Sequence, residues 1–109
     1  SRDFCFIENT IQMNLLAAMA PDEAKNQVYN VALGDRTSLI DLFKMIKKSL
    51  QMNGVHVSSD PTFKEFRAGD VRHSQADISK AKKMLGYVPE HKISQGISKS
   101  MPWYIEFLQ

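Results

Sequence analysis

Apolar residues recur three to four positions apart in residues 8–19 and again in residues 39–50. This spacing places them on one face of a helix, so both stretches are predicted to be amphipathic helices. Thr37 or Ser38 stands where the N-cap of the second helix belongs. Gly54 stands where a C-terminal cap belongs, because glycine readily adopts the left-handed conformation that ends helices.

Two further helices are predicted in the C-terminal third of the chain. One starts with Asp77 or Ser79 as its cap and runs to about Leu85, where Gly86 ends it. The last helix covers about residues 94–107, in which apolar residues again keep helical spacing.

Three short apolar stretches lie between the helices and predict strands. Residues 3–7 are rich in aromatic residues, residues 27–33 are almost continuously apolar, and residues 55–57 are a short β-favouring run. A continuous apolar run is typical of a strand buried on both faces of a parallel sheet. The predicted fold class is therefore α/β, a small domain of short, largely parallel strands with packed helices.

Composition narrows the class of protein. The 109 residues are enough for one domain, and 43% hydrophobic and 24% charged residues are typical of a globular chain. A formal charge of +2 with scattered basic residues does not predict nucleic-acid binding, and no apolar run approaches the ~20 residues of a membrane span. The lone Cys5 excludes an internal disulfide and fits a reducing compartment.

The chain begins with the residues SRDF and enters an apolar run at once. It has no initiator Met, no polar lead-in and no signal peptide pattern. This start predicts that the chain is a piece of a longer protein.

Catalytic and metal-binding motifs are absent from the sequence. No Gly-rich phosphate loop follows a predicted strand, and the three histidines have no metal-ligand spacing. A single Cys in an aromatic run is more often a small buried hydrophobe than a nucleophile. The residues therefore predict no catalytic group and no metal site.

Two places suit anion binding better. Arg2 precedes Asp3 at the start of an extended run, and Arg67 precedes a Gly-containing turn that ends in Asp70. An Arg fork fits phosphate oxygens, and a carboxylate can accept hydrogen bonds from the vicinal hydroxyls of a ribose. The alternative is that Arg67 and Asp70 simply pair with each other in a charged turn, and spacing alone favours this alternative because such surface pairs are common.

Three stretches together carry a resemblance to a known family: SRDFCFIENTIQMNLLAAM, VYNVALGDRTSLIDLF, and the long run from FRAGDVRHSQADISKAKKMLGY to the C-terminus. They resemble the C-terminal part of extended short-chain dehydrogenase/reductase nucleotide-sugar epimerases. The similarity is greatest to bacterial UDP-N-acetylglucosamine 4-epimerases of O-antigen and Vi-antigen biosynthesis. It covers essentially the whole chain.

The resemblance implies an enzyme whose catalytic machinery lies elsewhere. In that family an N-terminal Rossmann domain binds NAD, and a Tyr-x-x-x-Lys pair carries the chemistry; this chain contains neither. Residues 1–109 are thus expected to be a C-terminal UDP-sugar-binding domain that is inactive alone. The implied partners are a UDP-sugar and the chain's own N-terminal domain, in a cytoplasmic homodimer.

The resemblance also implies roles for four residues. Arg2 and Arg67 match arginines that contact the UDP diphosphate, and Asp70 matches the acid that binds the uridine ribose. Ser74 matches a position beside the sugar's 2-substituent, where a small residue leaves room for an N-acetyl group. The expected substrates are therefore UDP-N-acetylglucosamine and UDP-N-acetylgalactosamine.

Two alternatives stay open. The chain can be the substrate domain of another nucleotide-sugar enzyme, such as a dehydratase, a decarboxylase or a reductase. It can also be a free-standing α/β interaction module without enzymatic function. The epimerase interpretation predicts an exposed apolar patch where the missing domain would dock, whereas the free-standing module predicts a polar exterior.

Overall fold

The computed structural model describes residues 1–108, and within them the chain forms four α-helices. These are α1 (Ile7–Ala18), α2 (Leu39–Met52), α3 (Ser79–Leu85) and α4 (Ile93–Phe107), with a short 3₁₀ turn at Asp22–Ala24. All four predicted helices are confirmed, with ends within about two residues of the predicted ones. The chain has a flat outline of 53 × 35 × 18 Å, in which α2 packs against α4.

Two helix ends follow the local chemistry that the sequence indicated, whereas α3 has Ile78 at its N-cap position without a side-chain cap. Ser38 is the N-cap of α2, and its hydroxyl accepts a hydrogen bond from the Asp41 N–H at 3.1 Å. Gly86 ends α3 in the left-handed conformation, with φ of 67°. The carboxylate of Asp77 accepts bonds from the backbone N–H and the hydroxyl of Ser79, and these bonds lower the pKa of Asp77.

The predicted strands are not formed within residues 1–108, so the parallel sheet of the α/β prediction is not confirmed there. Ile7 already belongs to α1, and residues 27–33 and 55–57 lie outside any helix or ladder. The strand-like pairing in this part of the chain is one antiparallel bridge, in which Arg2 and Thr37 exchange backbone bonds of 3.0 and 2.9 Å.

The physical reason is that a strand needs a neighbour for its backbone N–H and C=O groups. The apolar run at residues 27–33 predicted burial on both faces, but Val28 is 84% exposed. Ala32 is buried, and Tyr29 and Val31 pack partly against the core. Tyr29, Val31 and Ala32 are therefore covered at least in part within the chain, while Val28 is open to solvent.

The core lies between α1, α3 and the extended segment at residues 27–33. Its buried members are Met13, Ala24, Ala32, Ile78, Ala81, Leu85 and Tyr87. Tyr87 is fully buried, and its hydroxyl donates to the carbonyl of Ala32 at 2.7 Å. Burial, together with the nearby Cys5 and Asp3, raises the pKa of Tyr87 to about 12.

Side-chain amides on α1 hold the segment that leads into α4. Asn9 is fully buried; its Nδ2 donates to the carbonyl of His91 at 2.8 Å, and its Oδ1 accepts the His91 N–H at 3.1 Å. One turn later, the Nε2 of Gln12 donates to the carbonyl of Val88 at 2.6 Å. These bonds fix α1 against residues 88–91 and satisfy backbone groups that have no strand partner.

Gly96 allows α4 to approach the start of α1 closely. A Cβ atom built on Gly96 would lie 2.6 Å from the Cβ and 2.7 Å from the Cγ of Phe6. These atoms are the base of the Phe6 side chain and cannot swing aside as a flexible side-chain end can. A glycine at this helical position is therefore required by packing, although glycine is a poor helix former.

We expect Gly96→Ala to lower the free energy of unfolding by about 1–3 kcal/mol, because the added methyl group overpacks the contact with Phe6. Helix propensity alone would change stability in the opposite direction, by about 1 kcal/mol. Ser98→Ala, at an exposed position of the same helix, is the control and should leave stability nearly unchanged. Denaturant unfolding distinguishes the two, and a Gly96→Ala chain as stable as the parent would contradict the contact.

Candidate functional site

The structure brings two of the four predicted site residues together at the carbonyl of Ser1. The Nη1 of Arg2 donates to this oxygen at 2.9 Å, and the backbone N–H of Ser74 donates to it at 3.1 Å. Two further bonds join Ser1 to the loop before Ser74, one to the carbonyl of Arg72 and one between its hydroxyl and His73 Nδ1, at 2.6 and 2.8 Å. The guanidinium of Arg2 therefore lies beside the backbone of Ser74.

The other two predicted residues form a pair of their own. The Nε of Arg67 donates to the Oδ2 of Asp70 at 2.9 Å, and the backbone N–H of Asp70 donates to the carbonyl of Arg67 at 3.1 Å. Gly69, with φ of 80°, makes this turn possible. The local ion pair that spacing favoured is thus the arrangement that the chain adopts.

This ion pair is open to solvent. The side chain of Arg67 is 88% exposed and that of Asp70 is 35% exposed. An exposed pair contributes at most about 1 kcal/mol to stability, so either partner can exchange the other for a ligand at low cost.

Arg72, which sequence reasoning did not select, braces the same turn. Its guanidinium lies 4.3 Å from the centre of the Phe66 ring, on the face of the ring, in a cation–π contact. Its carbonyl accepts the bond from Ser1. Residues 66–72 are therefore connected at one end to Arg2 and Ser74 at the Ser1 carbonyl, which we call the Arg2–Ser74 cluster.

Asp3 is a second residue that sequence reasoning named only as the neighbour of Arg2. Its carboxylate accepts hydrogen bonds from backbone N–H groups in residues 33–35 and from the N–H of Ala76. The donors lie up to 73 residues away in sequence. No pattern of neighbouring residues could have indicated such contacts.

A separate charged cluster joins α1 to α4. Lys99 Nζ donates to Glu8 Oε2 at 2.9 Å, and His91 Nε2 lies 3.5 Å from the same oxygen. The hydrogen bond from Lys99 is the main cause that lowers the pKa of Glu8. This cluster connects helices, and all three side chains are at least partly accessible. We therefore interpret it as an interhelical contact.

Within residues 1–108, no group of three or more His, Cys, Asp or Glu side chains is placed to hold a metal ion. None of the helices in this range has the length and apolarity needed to cross a membrane.

Comparison with known proteins places this geometry in context. No family model matches the sequence. The solved structure of the UDP-glucose 4-epimerase of Thermotoga maritima with UDP-glucose superposes with a TM-score of 0.81 at 30% identity, over 98% of this chain and 32% of that chain. The homologues of this chain are nucleotide-sugar 4-epimerases.

Two curated relatives support the same statement. The UDP-glucose 4-epimerase of Mycolicibacterium smegmatis is 28% identical over 104 residues, which are 95% of this chain and 31% of the relative. The dTDP-L-rhamnose 4-epimerase of Burkholderia thailandensis is 26% identical over 113 residues, which are 99% of this chain and 28% of the relative. The chain thus spans about a third of the length of the relatives it matches.

The expected resemblance to nucleotide-sugar epimerases is therefore confirmed at this level. The four site assignments, the preference for an N-acetylated sugar, and the association with surface polysaccharides stay predictions.

Proposed function

We propose that this chain is the C-terminal, UDP-sugar-binding part of a nucleotide-sugar 4-epimerase. The observation that carries the proposal is the superposition of 98% of the chain on an epimerase that was solved with UDP-glucose. The Arg2–Ser74 cluster and the open Arg67–Asp70 pair provide the cationic and polar groups that a nucleoside diphosphate sugar requires. The proposed substrates are UDP-N-acetylglucosamine and UDP-N-acetylgalactosamine.

Each proposed role follows from the chemistry of one side chain. Arg2 and Arg67 neutralise the diphosphate, and Asp70 accepts hydrogen bonds from the ribose hydroxyls. Binding exchanges the exposed contact between Arg67 and Asp70 for bonds to the ligand. Ser74 leaves room beside the sugar for an acetamido group.

The residues of this chain do not fit NAD. Its left-handed glycines stand singly, Gly34 and Gly69 among them, and no Gly-rich loop precedes a helix as a phosphate-binding site requires. We assign NAD, and with it the redox chemistry at the sugar's C4 atom, to an N-terminal part outside this chain. The chain alone is therefore proposed to be inactive.

The contribution of this chain is to hold the nucleotide. Epimerisation at C4 requires the sugar to present both faces to the catalytic groups, while the UDP stays bound. Contacts to the diphosphate and the ribose use the non-reacting end of the substrate to orient the reacting end. The arginines and Asp70 thereby act on the reaction without contacting the reacting atom.

The outer face of α1 supplies the docking surface for the N-terminal part. Ile7, Ile11, Leu15 and Met19 follow one another at intervals of four residues, and each is between 49% and 76% exposed. Ile11, Leu15 and Met19, together with Val88, border a groove of about 730 Å³. We call Ile7, Ile11, Leu15, Met19 and Val88 the α1 apolar face.

The surface area of the chain supports the presence of a partner. The chain exposes 8163 Å², whereas a compact monomer of 12.4 kDa exposes about 6,100 Å². The excess of about 2,000 Å² is as large as one side of an extensive, permanent interface. An excess of this size over the whole chain favours the remaining two thirds of a longer chain over a small or transient partner.

The remaining parts of the proposal concern the longer protein. We propose that it acts in the cytoplasm as a homodimer formed through the part outside this chain, and that it supplies sugars for surface polysaccharides. These assignments are supported by the resemblance to O-antigen and Vi-antigen epimerases. An open reading frame that continues upstream of Ser1 into a Gly-rich nucleotide-binding segment is expected.

The substrate assignment predicts the activity of the full-length protein. We expect it to interconvert UDP-N-acetylglucosamine and UDP-N-acetylgalactosamine, with lower kcat/KM on UDP-glucose and dTDP-sugars. Ser74→Tyr should reduce kcat/KM for the acetamido sugars by about tenfold or more, because the ring fills the space beside the sugar, and should retain UDP-glucose turnover. Activity confined to dTDP-sugars, or equal losses on all substrates in the variant, would contradict the assignment.

The role of Arg67 predicts a loss of UDP affinity. In the full-length protein, Arg67→Ala should weaken competitive inhibition by UDP by about 2 kcal/mol or more, since charge-assisted bonds to the diphosphate are removed. Its thermal stability should change little, because the ion pair with Asp70 is exposed. Lys64→Ala, which removes the same charge from the same loop, is the control. An unchanged inhibition constant for Arg67→Ala would exclude its assigned contact.

The docking surface predicts a stability effect that depends on the rest of the protein. Leu15→Asp should strongly destabilise the full-length protein, because it buries an unpaired carboxylate in the interface. The same change should alter the stability of residues 1–109 alone by less than about 0.5 kcal/mol, since Leu15 is exposed there. Asn14→Asp, at an exposed neighbouring position, is the control. Equal tolerance of both changes in the full-length protein would place the interface elsewhere.

A further inference from the structure

The carboxylate of Asp3 accepts four hydrogen bonds from segments that are distant in sequence. Its Oδ1 accepts the N–H of Leu33 at 3.1 Å. Its Oδ2 accepts the N–H groups of Gly34, Asp35 and Ala76 at 2.9, 3.2 and 3.3 Å. One carboxylate therefore joins the N-terminal segment to two loops that lie about 30 and 73 residues away.

Both loops lead directly to site residues. On one side, Arg2 exchanges two backbone bonds with Thr37, just beyond the turn that Asp3 holds. On the other side, Ala76 follows Ser74 by two residues, and the Ser74 N–H is bound to the carbonyl of Ser1. Asp3 thus connects the turn next to Thr37, which holds the backbone of Arg2, to the loop that contains Ser74.

One further hydrogen bond joins the two loops directly. The side-chain amide of Gln75 donates to the carbonyl of Gly34. Gly34 adopts a φ of 73°, and a Cβ there would lie 3.2 Å from the side chain of Ile78. The turn at residues 33–35 is consequently fixed by Asp3 on one side and by residues 75–78 on the other.

A carboxylate next to an anion-binding Arg needs an explanation, because its negative charge opposes a diphosphate. Only a carboxylate offers two oxygens with about four acceptor sites and no donor, which matches the four N–H groups that converge here. Those N–H groups also compensate part of its charge. The charge of Asp3 therefore weakens the attraction for a diphosphate, but its hydrogen bonds fix the two loops relative to each other.

We propose that Asp3 is a positioning residue, which sets the guanidinium of Arg2 relative to the Ser74 loop before the nucleotide arrives. The inference rests on the proposed UDP-sugar function. It extends that function by assigning the preorganisation of the diphosphate contact to a residue that does not touch the ligand. A displacement of the Arg2 guanidinium by about 1 Å would weaken its contact with the diphosphate. The residue that fixes its position therefore has a large influence on UDP affinity.

The test is UDP binding by the full-length protein, measured by calorimetry. Asp3→Ala should raise the UDP dissociation constant about tenfold or more, as expected when a charge-assisted contact is misplaced. Asp3→Asn should have a smaller effect, because its amide oxygen in the place of Oδ2 can still accept the N–H groups of Gly34 and Asp35. Asp60→Ala removes the same charge from an exposed loop and should not weaken UDP binding.

A double-mutant cycle separates positioning from general destabilisation. In an Arg2→Ala background, Asp3→Ala should change UDP affinity by less than about twofold, since the residue through which it acts is already gone. A full tenfold loss in both backgrounds would show that Asp3 does not act through Arg2. That outcome would overturn the inference and leave the proposed function intact.

The remaining outcomes are also distinguishable. If the parent protein does not bind UDP, the proposed function fails and the inference fails with it. If Asp3→Ala does not fold, Asp3→Asn decides, and UDP affinity equal to that of the parent would overturn the positioning role. Retained affinity in a folded Asp3→Ala protein would do the same.

Discussion

The structure depends on side chains that satisfy backbone groups which a sheet would otherwise pair. Asp3 is the central case, because its carboxylate accepts four N–H groups from two separate loops. Asn9 does the same for the backbone of His91, and Tyr87 for the carbonyl of Ala32. Buried backbone groups without partners are costly, so these bonds determine where the extended segments can lie.

This constraint explains which parts of the fold could be predicted from sequence. Helices are local, and spacing plus capping residues such as Ser38 and Gly86 were enough to predict four of them. The apolar run at residues 27–33 was interpreted as a buried strand, because its composition is that of a strand with two covered faces. Composition does not show which chain covers each face, and Val28 in this run is 84% exposed.

The candidate site divides in the same way. The resemblance supplied the positions of Arg2, Arg67, Asp70 and Ser74, whose roles stay predictions. The chain brings Arg2 to Ser74 and pairs Arg67 with Asp70. Asp3 and Gly96 were missed. Their importance lies in contacts between residues far apart in sequence, such as the approach of Phe6 to Gly96, and no local pattern encodes such a contact.

The two halves of the candidate site differ in how firmly hydrogen bonds hold them, and this difference fits the proposed epimerase function. The Arg2–Ser74 half is fixed by Asp3 and the Thr37 bridge, so its geometry is set before binding. The Arg67–Asp70 half is an exposed turn, whose charges satisfy each other until a ligand replaces the contact. A substrate that must be held at its nucleotide while its sugar turns needs one rigid wall and one side that opens for entry and exit. In the proposed enzyme, affinity would therefore be set largely at the rigid wall, and the rate of release at the turn.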